Sequence, residues 1–563
     1  MTKYTVDVLM VGGGAAAALA ALEAKRNGVS VAFVTKESSL VGGATIMAAG
    51  GTSIVATEND NSETFLADIL RSGAGLNNGK LARMVAEQSA QSLSDLENHN
   101  YLLDRKEGKA LRTVKQGEGH AWPRGYLDRR EALGLCHALS RAVMRNEITL
   151  FPETIITKLL TVDNRAVGAV AMSLVTGELA VFQAKAVLMA TGGVGALYEV
   201  TTNSSVLTGD GFALALDAGA ELVDMEMVQF FPIAFPYPEV RRGKIIGMCS
   251  HFGSGIKLIN GLGERYMGRY DPENMEMATR DIAARANFTE IKEGRGTAKS
   301  SILVDPREHD PAILVRFRTS VPHIFAMFKD VFGQKVADWK EPFEAIPSQH
   351  FFMGGIRIDE ACRTSVPGLF AVGEVAGGVH GANRLSGVAF TELFVLAPHA
   401  GKAVAACASG RKIVPADQST IDDEVERLQS LMEPRRGTRP FELKKAIQNI
   451  MWDKLGPVRT GAEIETAIGE LEEIGASELG NMAIGASDLT YNRDRMEAIE
   501  VGFMVRSALF IARSAFLRRE SRGSHYRTDF PVRNDKEWLK NIVIRKAPDG
   551  GISLETENTI QAG

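Results

Sequence analysis

An α/β architecture built on parallel strands is what this chain predicts, and three stretches carry the prediction. They are "VDVLMVGGGAAAALAALEAKRNGVSVAFVTK" (6–36), "AKAVLMATGGVGALY" (184–198) and "VPGLFAVGEVAGG" (366–378). Each contains an apolar run of strand length that leads into glycines. Parallel strands covered on both faces read as continuous apolar runs. Glycines at their carboxyl ends suit a long dinucleotide threaded over the strand ends of an open sheet.

In chain order, "VDVLMV" (6–11) is the first strand, "GGGAAAALAALEAKRNG" a helix ending at Gly28, and "VSVAFVTK" a second buried strand. Gly12, Gly14 and Ala17 occupy the G-x-G-x-x-G/A positions of this βαβ opening. The glycines allow a tight turn and let a pyrophosphate approach the helix N-terminus. No clear acidic residue to hold a ribose stands at the end of the second strand. Thr35-Lys36 stand there and Glu37 comes one step late, which counts against an ordinary NAD site. The second and third stretches are far apart, so the dinucleotide-binding domain is split. We expect it over 1–225 and 349–412, with an insertion at 226–348. From 413 to 530, amphipathic patterns such as "DDEVERLQSLM" and "GAEIETAIGELEEIGASELGNMA" predict a helical domain. Residues 531–563 form a C-terminal tail.

With 563 residues the chain is too long for one simple core. Its net charge is −5, from 64 basic and 69 acidic residues, with no basic block or stripe, so nucleic acid is not an expected partner. No apolar run reaches membrane-span length. The N-terminal apolar run is broken by three glycines and flows into a helical pattern, so it reads as strand–turn–helix and not as a signal peptide. A cytoplasmic protein is expected, meeting a membrane only through partners. Cys136, Cys249, Cys362 and Cys407 are scattered without CxxC spacing. Neither an iron–sulfur or haem ligand set, nor a disulfide framework, nor any other metal site is expected.

Longer motifs carry a resemblance. They are "VGGGAAA", "AAGG" (48–51), "ATGGVGALYEVTTNSSVLTGDGFALALDAGAELVDMEMVQF" (190–230), "NGLGERYMGRYDP" (260–272), "ATRDIAAR" (278–285), "IPSQHFFMGGI" (346–356), "GLFAVGEVAGGVHGANRLSG" (368–387) and "RRESRGSHYRTDFPVRND" (518–535). Over nearly its full length the chain resembles the flavoprotein subunits of succinate dehydrogenase and fumarate reductase and the related L-aspartate oxidases. The resemblance implies a Rossmann-like FAD-binding domain with an inserted α+β capping domain, then a C-terminal helical domain. It places FAD contacts on Gly12, Gly14, Ala17, Lys36, Gly50, Gly51, Thr191, Gly192, Asp210, Glu374 and Ala389. Asp210 also reads as an N-cap of the helix "GFALALDAG". Some relatives link FAD covalently through a histidine before the glycine pair. Here Ala44 stands in its place, which implies non-covalent FAD.

The implied reaction moves a hydride between flavin N5 and one carbon of a substrate C–C bond, with a proton exchanged at the neighbouring carbon. Arg384 in "HGANR" and His350 in "SQHFFMGG" match the pair that grips a substrate carboxylate. Arginine suits this task because its fork binds carboxylate bidentately and stays charged when dry. Arg280 in "ATRD" matches the proton donor; a structural contact with Asp281 is the plainer reading. There are also departures. Relatives have "QFHPT" where this chain has "QFFPI", so Phe231 replaces a histidine that binds fumarate's second carboxylate. Counting back from Asn260 puts Met248, Cys249 and Phe252 where relatives have a threonine, a relay glutamate and an arginine. His251 lies within the same loop and could substitute as a relay. The loop "GEGHAWPRGY" (117–126) could bring His120 and Trp122 to the altered end of the pocket. A carboxylate against Phe and Met would cost several kcal/mol. A 2-enoate with an apolar or aryl tail is therefore expected in place of fumarate; if a second carboxylate does bind, His251, Arg241 and Arg242 are the first candidates to hold it. The alternatives are a flavoprotein of succinate dehydrogenase or fumarate reductase proper, or a flavin-binding protein that only relays electrons. With no second redox centre of its own, the chain passes electrons either to a separate iron–sulfur subunit or to a soluble carrier, a quinone or oxygen.

Overall fold

The computed structural model describes residues 1–38, 40–48, 51–55, 60–98, 105–106, 109–110, 119–126, 130, 132–247, 255–433, 435–548 and 550–563. Its main sheet has seven strands. In spatial order they are Thr149–Phe151, Val31–Val34, Thr2–Val11, Leu179–Met189, Arg165–Ser173 and Thr154–Val162, with Leu369–Ala371 also paired to Leu179–Met189. The strands Val31–Val34, Thr2–Val11, Leu179–Met189 and Leu369–Ala371 run parallel. Their apolar residues are almost wholly buried, as the continuous apolar runs require. The first strand begins earlier than its apolar run, at Thr2. Residues 2–5 continue the ladder beside Ala180–Gln183 while their side chains stay exposed.

Because the four strands are parallel, their carboxyl ends meet at one edge. The segments that leave them are Gly12–Gly14, Thr35–Glu37, Ala190–Gly192 and Val372–Glu374, and all four border a single cavity. The alanine-rich helix Ala15–Arg26 packs against the helix Val388–Ser409 and the strands beneath; small residues on both let the backbones approach.

The inserted segment builds a second, antiparallel sheet. Its order is Ile245–Gly247, Val228–Ala234, Phe343–Phe352, Ile302–Asp305 and Lys257–Ile259. Phe235, Ile256, Tyr266, Phe317, Phe328 and Trp339 give it a core of its own. The helices Arg280–Lys292 and Pro311–Ser320 belong to this layer. Beyond it come the helices Gln418–Ser430, Pro440–Lys454, Gly461–Glu473 and Arg493–Leu517. The C-terminal tail is structured: Lys540–Lys546 and Ile552–Asn558 form a hairpin, and its first strand pairs with Leu222–Val223. No helix among the described residues is long and apolar enough to cross a membrane.

Candidate active site

The cavity measures about 720 Å³ and runs from the strand ends to the inner face of the inserted layer. At the strand ends it has the features of a dinucleotide cradle. Gly12 has φ +128°, and a Cβ there would lie 2.1 Å from the Ala190 carbonyl oxygen. Only glycine keeps this turn tight. The twelve-residue helix Ala15–Arg26 starts at the cavity wall, pointing the positive end of its dipole inward. The Thr191 hydroxyl is buried at the wall without a hydrogen-bond partner among the described residues. A buried polar group of this kind wants a ligand. Glu374 also faces the cavity. One of its oxygens accepts the Phe352 N–H at 3.0 Å, and burial pushes its carboxyl up to about 7. A Cβ on Gly193 would come within 2.5 Å of that oxygen, so the bare backbone is what seats Glu374. Size, dipole and donor set all fit FAD.

Of the residues expected to touch FAD, Gly12, Gly14, Lys36, Gly51, Thr191, Gly192, Asp210, Glu374 and Ala389 line the cavity, as does Ala44. Ala17 does not. It is wholly buried in the core, where its small side chain serves helix–sheet packing. Gly50 lies outside the described residues. Lys36 and Asp210 are held differently from two separate anchors. The Lys36 ammonium donates to Thr208 and Glu500 at 2.9 and 3.0 Å and lies 3.4 Å from Asp210. Burial alone would lower its pKa, but the two carboxylates raise it. Asp210 opens the helix Asp210–Asp217 as its first residue; the N-cap is Gly209, and no side chain caps the helix. Glu37 also lines the cavity; one of its oxygens accepts the Gly43 N–H at 2.6 Å and the other lies 3.4 Å from the Ser204 hydroxyl.

Three strand and helix ends converge on the other half of the cavity. His350 sits near the end of the strand Phe343–Phe352, Arg280 is the first residue of the helix Arg280–Lys292, and Arg384 lies in the turn before the helix Val388–Ser409. All three line the cavity, together with Phe231. Pairing of Phe231 with Ser348 brings its ring beside His350, two residues along the same strand face. The ring centroids are 4.9 Å apart, and the Arg280 guanidinium lies 5.6 Å from the Phe231 centroid. The Arg384 guanidinium packs 4.6 Å over Phe351. Burial, then the Arg384 and Arg280 charges, hold the His350 imidazole well below its ordinary pKa, so the ring is neutral. Its Nδ1 meets the Thr202 hydroxyl at 2.9 Å. Two cations and a neutral imidazole around one cavity are an arrangement that can hold a carboxylate.

Arg280 does not pair with Asp281. Its Nη1 donates to Gln229 Oε1 at 3.2 Å. Gln229 Nε2 in turn donates to Asn383 Oδ1 and to the Arg384 carbonyl, at 2.7 and 3.0 Å. Asp281 instead accepts from Asn383 Nδ2. Gln229 thus ties the start of the helix Arg280–Lys292 to the turn that carries Arg384. Its position in "QFFPI" gave a sequence signal only through its neighbour Phe231. His380, the other basic residue of "HGANRLSG", is turned away to Glu392, 2.7 Å from its carboxylate.

His120 reaches the cavity as expected, yet both ring nitrogens are in use. Arg124 Nη1 donates to Nδ1 at 3.3 Å, which leaves the proton on Nε2, 2.9 Å from the Ser386 carbonyl. Arg124 is fully buried and is gripped by Asp60 through two bonds of 2.6 Å and by Asp68 through one of 2.6 Å. Sequence reasoning missed Asp60, Asp68 and Arg124, whose spacing suggests no common site. Trp122 points outward and is exposed. Arg241 and Arg242 do not line the cavity; Arg242 pairs with Glu199. Met248, Cys249, His251 and Phe252 lie outside the described residues.

Comparison with known proteins agrees with this geometry. A family model for an FAD binding domain matches residues 7–389, and one for the fumarate reductase flavoprotein C-terminal region matches 444–562. The chain is 37% identical to a fumarate reductase (CoM/CoB) subunit of Methanothermobacter marburgensis, covering 96% of this chain and 97% of that one. It is 30% identical to the succinate dehydrogenase flavoprotein subunit of Rickettsia conorii, over 98% and 95% of the two chains. Among solved structures, a variant of FrdA from the E. coli quinol fumarate reductase superposes with a TM-score of 0.90 at 28% identity, covering 100% of this chain and 97% of that one. An FAD cradle facing two arginines and a neutral histidine, together with full-length likeness of this extent, makes the chain a member of the fumarate reductase and succinate dehydrogenase flavoprotein family, the FAD-dependent oxidoreductases that act on CH–CH groups.

Proposed function

We propose that the protein interconverts a 2-enoate and its saturated acid, with a substrate that is apolar where fumarate bears its second carboxylate. The observation that carries this reading is the placement of Phe231, whose ring occupies the wall between Arg280 and His350. FAD, when bound, supplies a hydride to the carbon β to the carboxylate, or takes one from it. Arg384 grips the substrate carboxylate, and the neutral His350 adds a hydrogen bond without a charge. Negative charge that builds up on the α carbon spreads onto this carboxylate, where the guanidinium stabilises it. Arg280 delivers the proton to the α carbon. A guanidinium keeps its proton far above neutral pH, so transfer must be concerted with carbanion formation. Gln229 holds its guanidinium toward the site from behind.

On the same reading FAD is bound without a covalent link, since Ala44 at the cavity wall offers no nucleophile. The FAD-binding domain comprises 1–225 and 349–412, the cap 226–348 and the helical domain 413–530, with the strand Phe343–Phe352 of the cap's sheet crossing the boundary at 348. A separate iron–sulfur protein delivers or removes the electrons. A second reading, a fumarate or succinate enzyme proper, is favoured by the names of the relatives, the M. marburgensis protein among them.

Side-by-side kinetics on fumarate and an arylacrylate, with reduced viologen as donor, separate the two readings. The arylacrylate should win by at least about a hundredfold in kcat/KM, roughly 3 kcal/mol of differential binding. Phe231→His should narrow the gap. A wild type that reduces fumarate efficiently and ignores the arylacrylate would overturn the proposal.

A further inference from the structure

The cavity continues past Phe231 along the inserted layer. Ala312, Ile313, Arg316, Phe317 and Ser320 all line it. Their spacing, i, i+1, i+4, i+5, i+8, is one stripe of the helix Pro311–Ser320. Val315 and Arg318, off the stripe, are exposed. Ile245, Ile246, Val321 and Ile324 extend the same wall with apolar surface.

Arg316 is the cationic residue of this stripe, whose other polar member is Ser320. It is half-buried, and its guanidinium makes no ion pair and no hydrogen bond with any described residue. Two residues on, Arg318 pairs with Asp338 at 2.6 Å. Asp310 also lines the cavity, and its carboxylate caps its own helix through the Ala312 N–H. A guanidinium among apolar side chains is poorly hydrated and binds an anion more strongly than one in open water.

Building on the enoate reading, we infer that Arg316 receives a second anionic group carried at the far end of the substrate's apolar tail. Arg384 and His350 hold the reacting carboxylate, the isoleucines and Phe317 cover a hydrocarbon or aryl spacer, and Arg316 takes a terminal carboxylate. The second charge excluded beside Phe231 is thereby accepted further out. Arg316 is then a specificity-determining residue that touches substrate away from the reacting bond.

Two homologous series test this: saturated acids of increasing length with a methyl end, and the same acids with a carboxylate end. Binding to the oxidised holoenzyme is read from the flavin absorbance change, and the matching 2-enoates are assayed with reduced viologen. At a favoured length, carboxylate-ended acids should bind the wild type about tenfold tighter or more than methyl-ended ones, the scale of one charge-assisted hydrogen bond. Arg316→Leu should erase that preference, through KM and not kcat, while leaving the methyl-ended series unchanged; Arg316→Lys should restore part of it. The inference falls if the wild type shows no preference, or if Arg316→Leu weakens both series equally, as a packing role would. If the binding preference follows Arg316 while no enoate in either series is reduced, the second anion site stands and the enoate reading falls.

Discussion

Glu374 carries a carboxyl that burial pushes up to about 7, and this has a measurable cost. The folded chain keeps the proton where the unfolded chain, near ~4.3, has lost it. Stability from this group is therefore complete below the unfolded value and declines as pH rises toward about 7. In FAD-free protein, wild type should lose up to ~3 kcal/mol relative to Glu374→Gln across that window. Urea unfolding of both proteins at a series of pH values reads the difference; parallel profiles would mean that the carboxyl ionises freely in the cavity. The residues around it differ in how visible they were. His350, Arg384 and Arg280 sit in motifs with neighbours that mark them, and the structure brings all three to one cavity. Arg316 and Gln229 carry no such signature. What sets Arg316 apart is the absence of a partner among the described residues, and pairing is decided by contacts that one-dimensional spacing does not contain.

At the scale of elements, the loop 119–126 depends on charge in a way its composition hides. Arg124, held by Asp60 and Asp68, fixes His120, and His120 fixes the Ser386 carbonyl one residue before the turn into the helix Val388–Ser409. Removing one carboxylate leaves a buried guanidinium short of a partner, at a cost of ~3–5 kcal/mol. Asp60→Ala should lower Tm by several degrees and loosen the Ser386 turn, visible as faster amide exchange there. An unchanged Tm would show that the cluster is solvated. The βαβ opening was legible because a continuous apolar run of strand length that breaks into glycines suits a covered parallel strand and little else. The inserted sheet was not: strands such as Ile245–Gly247 and Lys257–Ile259 are three residues long, too short for a period. The hairpin Lys540–Lys546 with Ile552–Asn558 was also hidden, because its second strand is largely polar and its first pairs with the distant Leu222–Val223.

For the whole molecule, cofactor retention is the accessible test. Acid precipitation should release all yellow colour to the supernatant, and flavin fluorescence on a denatured gel band would show a covalent bond despite Ala44. Retention also draws on distant parts of the chain, since Lys36 at the cavity is tied to Glu500 in the long helix Arg493–Leu517, and Glu500 in turn to Lys444. The sheet that builds the cradle has a further consequence, one of timing. Its strand Leu369–Ala371 is separated from Leu179–Met189 by the whole inserted layer, and Leu222–Val223 waits for a partner at 540–546. A growing chain meets the insert, with its own core, before the cradle's last strand exists. The insert can therefore collapse on its own during synthesis, while the cradle stays open at one edge. Contacts between segments so far apart in the chain close slowly. Through that interval a half-built cradle presents parallel strand edges to its surroundings, so early capture of the cofactor would protect the nascent chain from aggregation as well as equip it for catalysis.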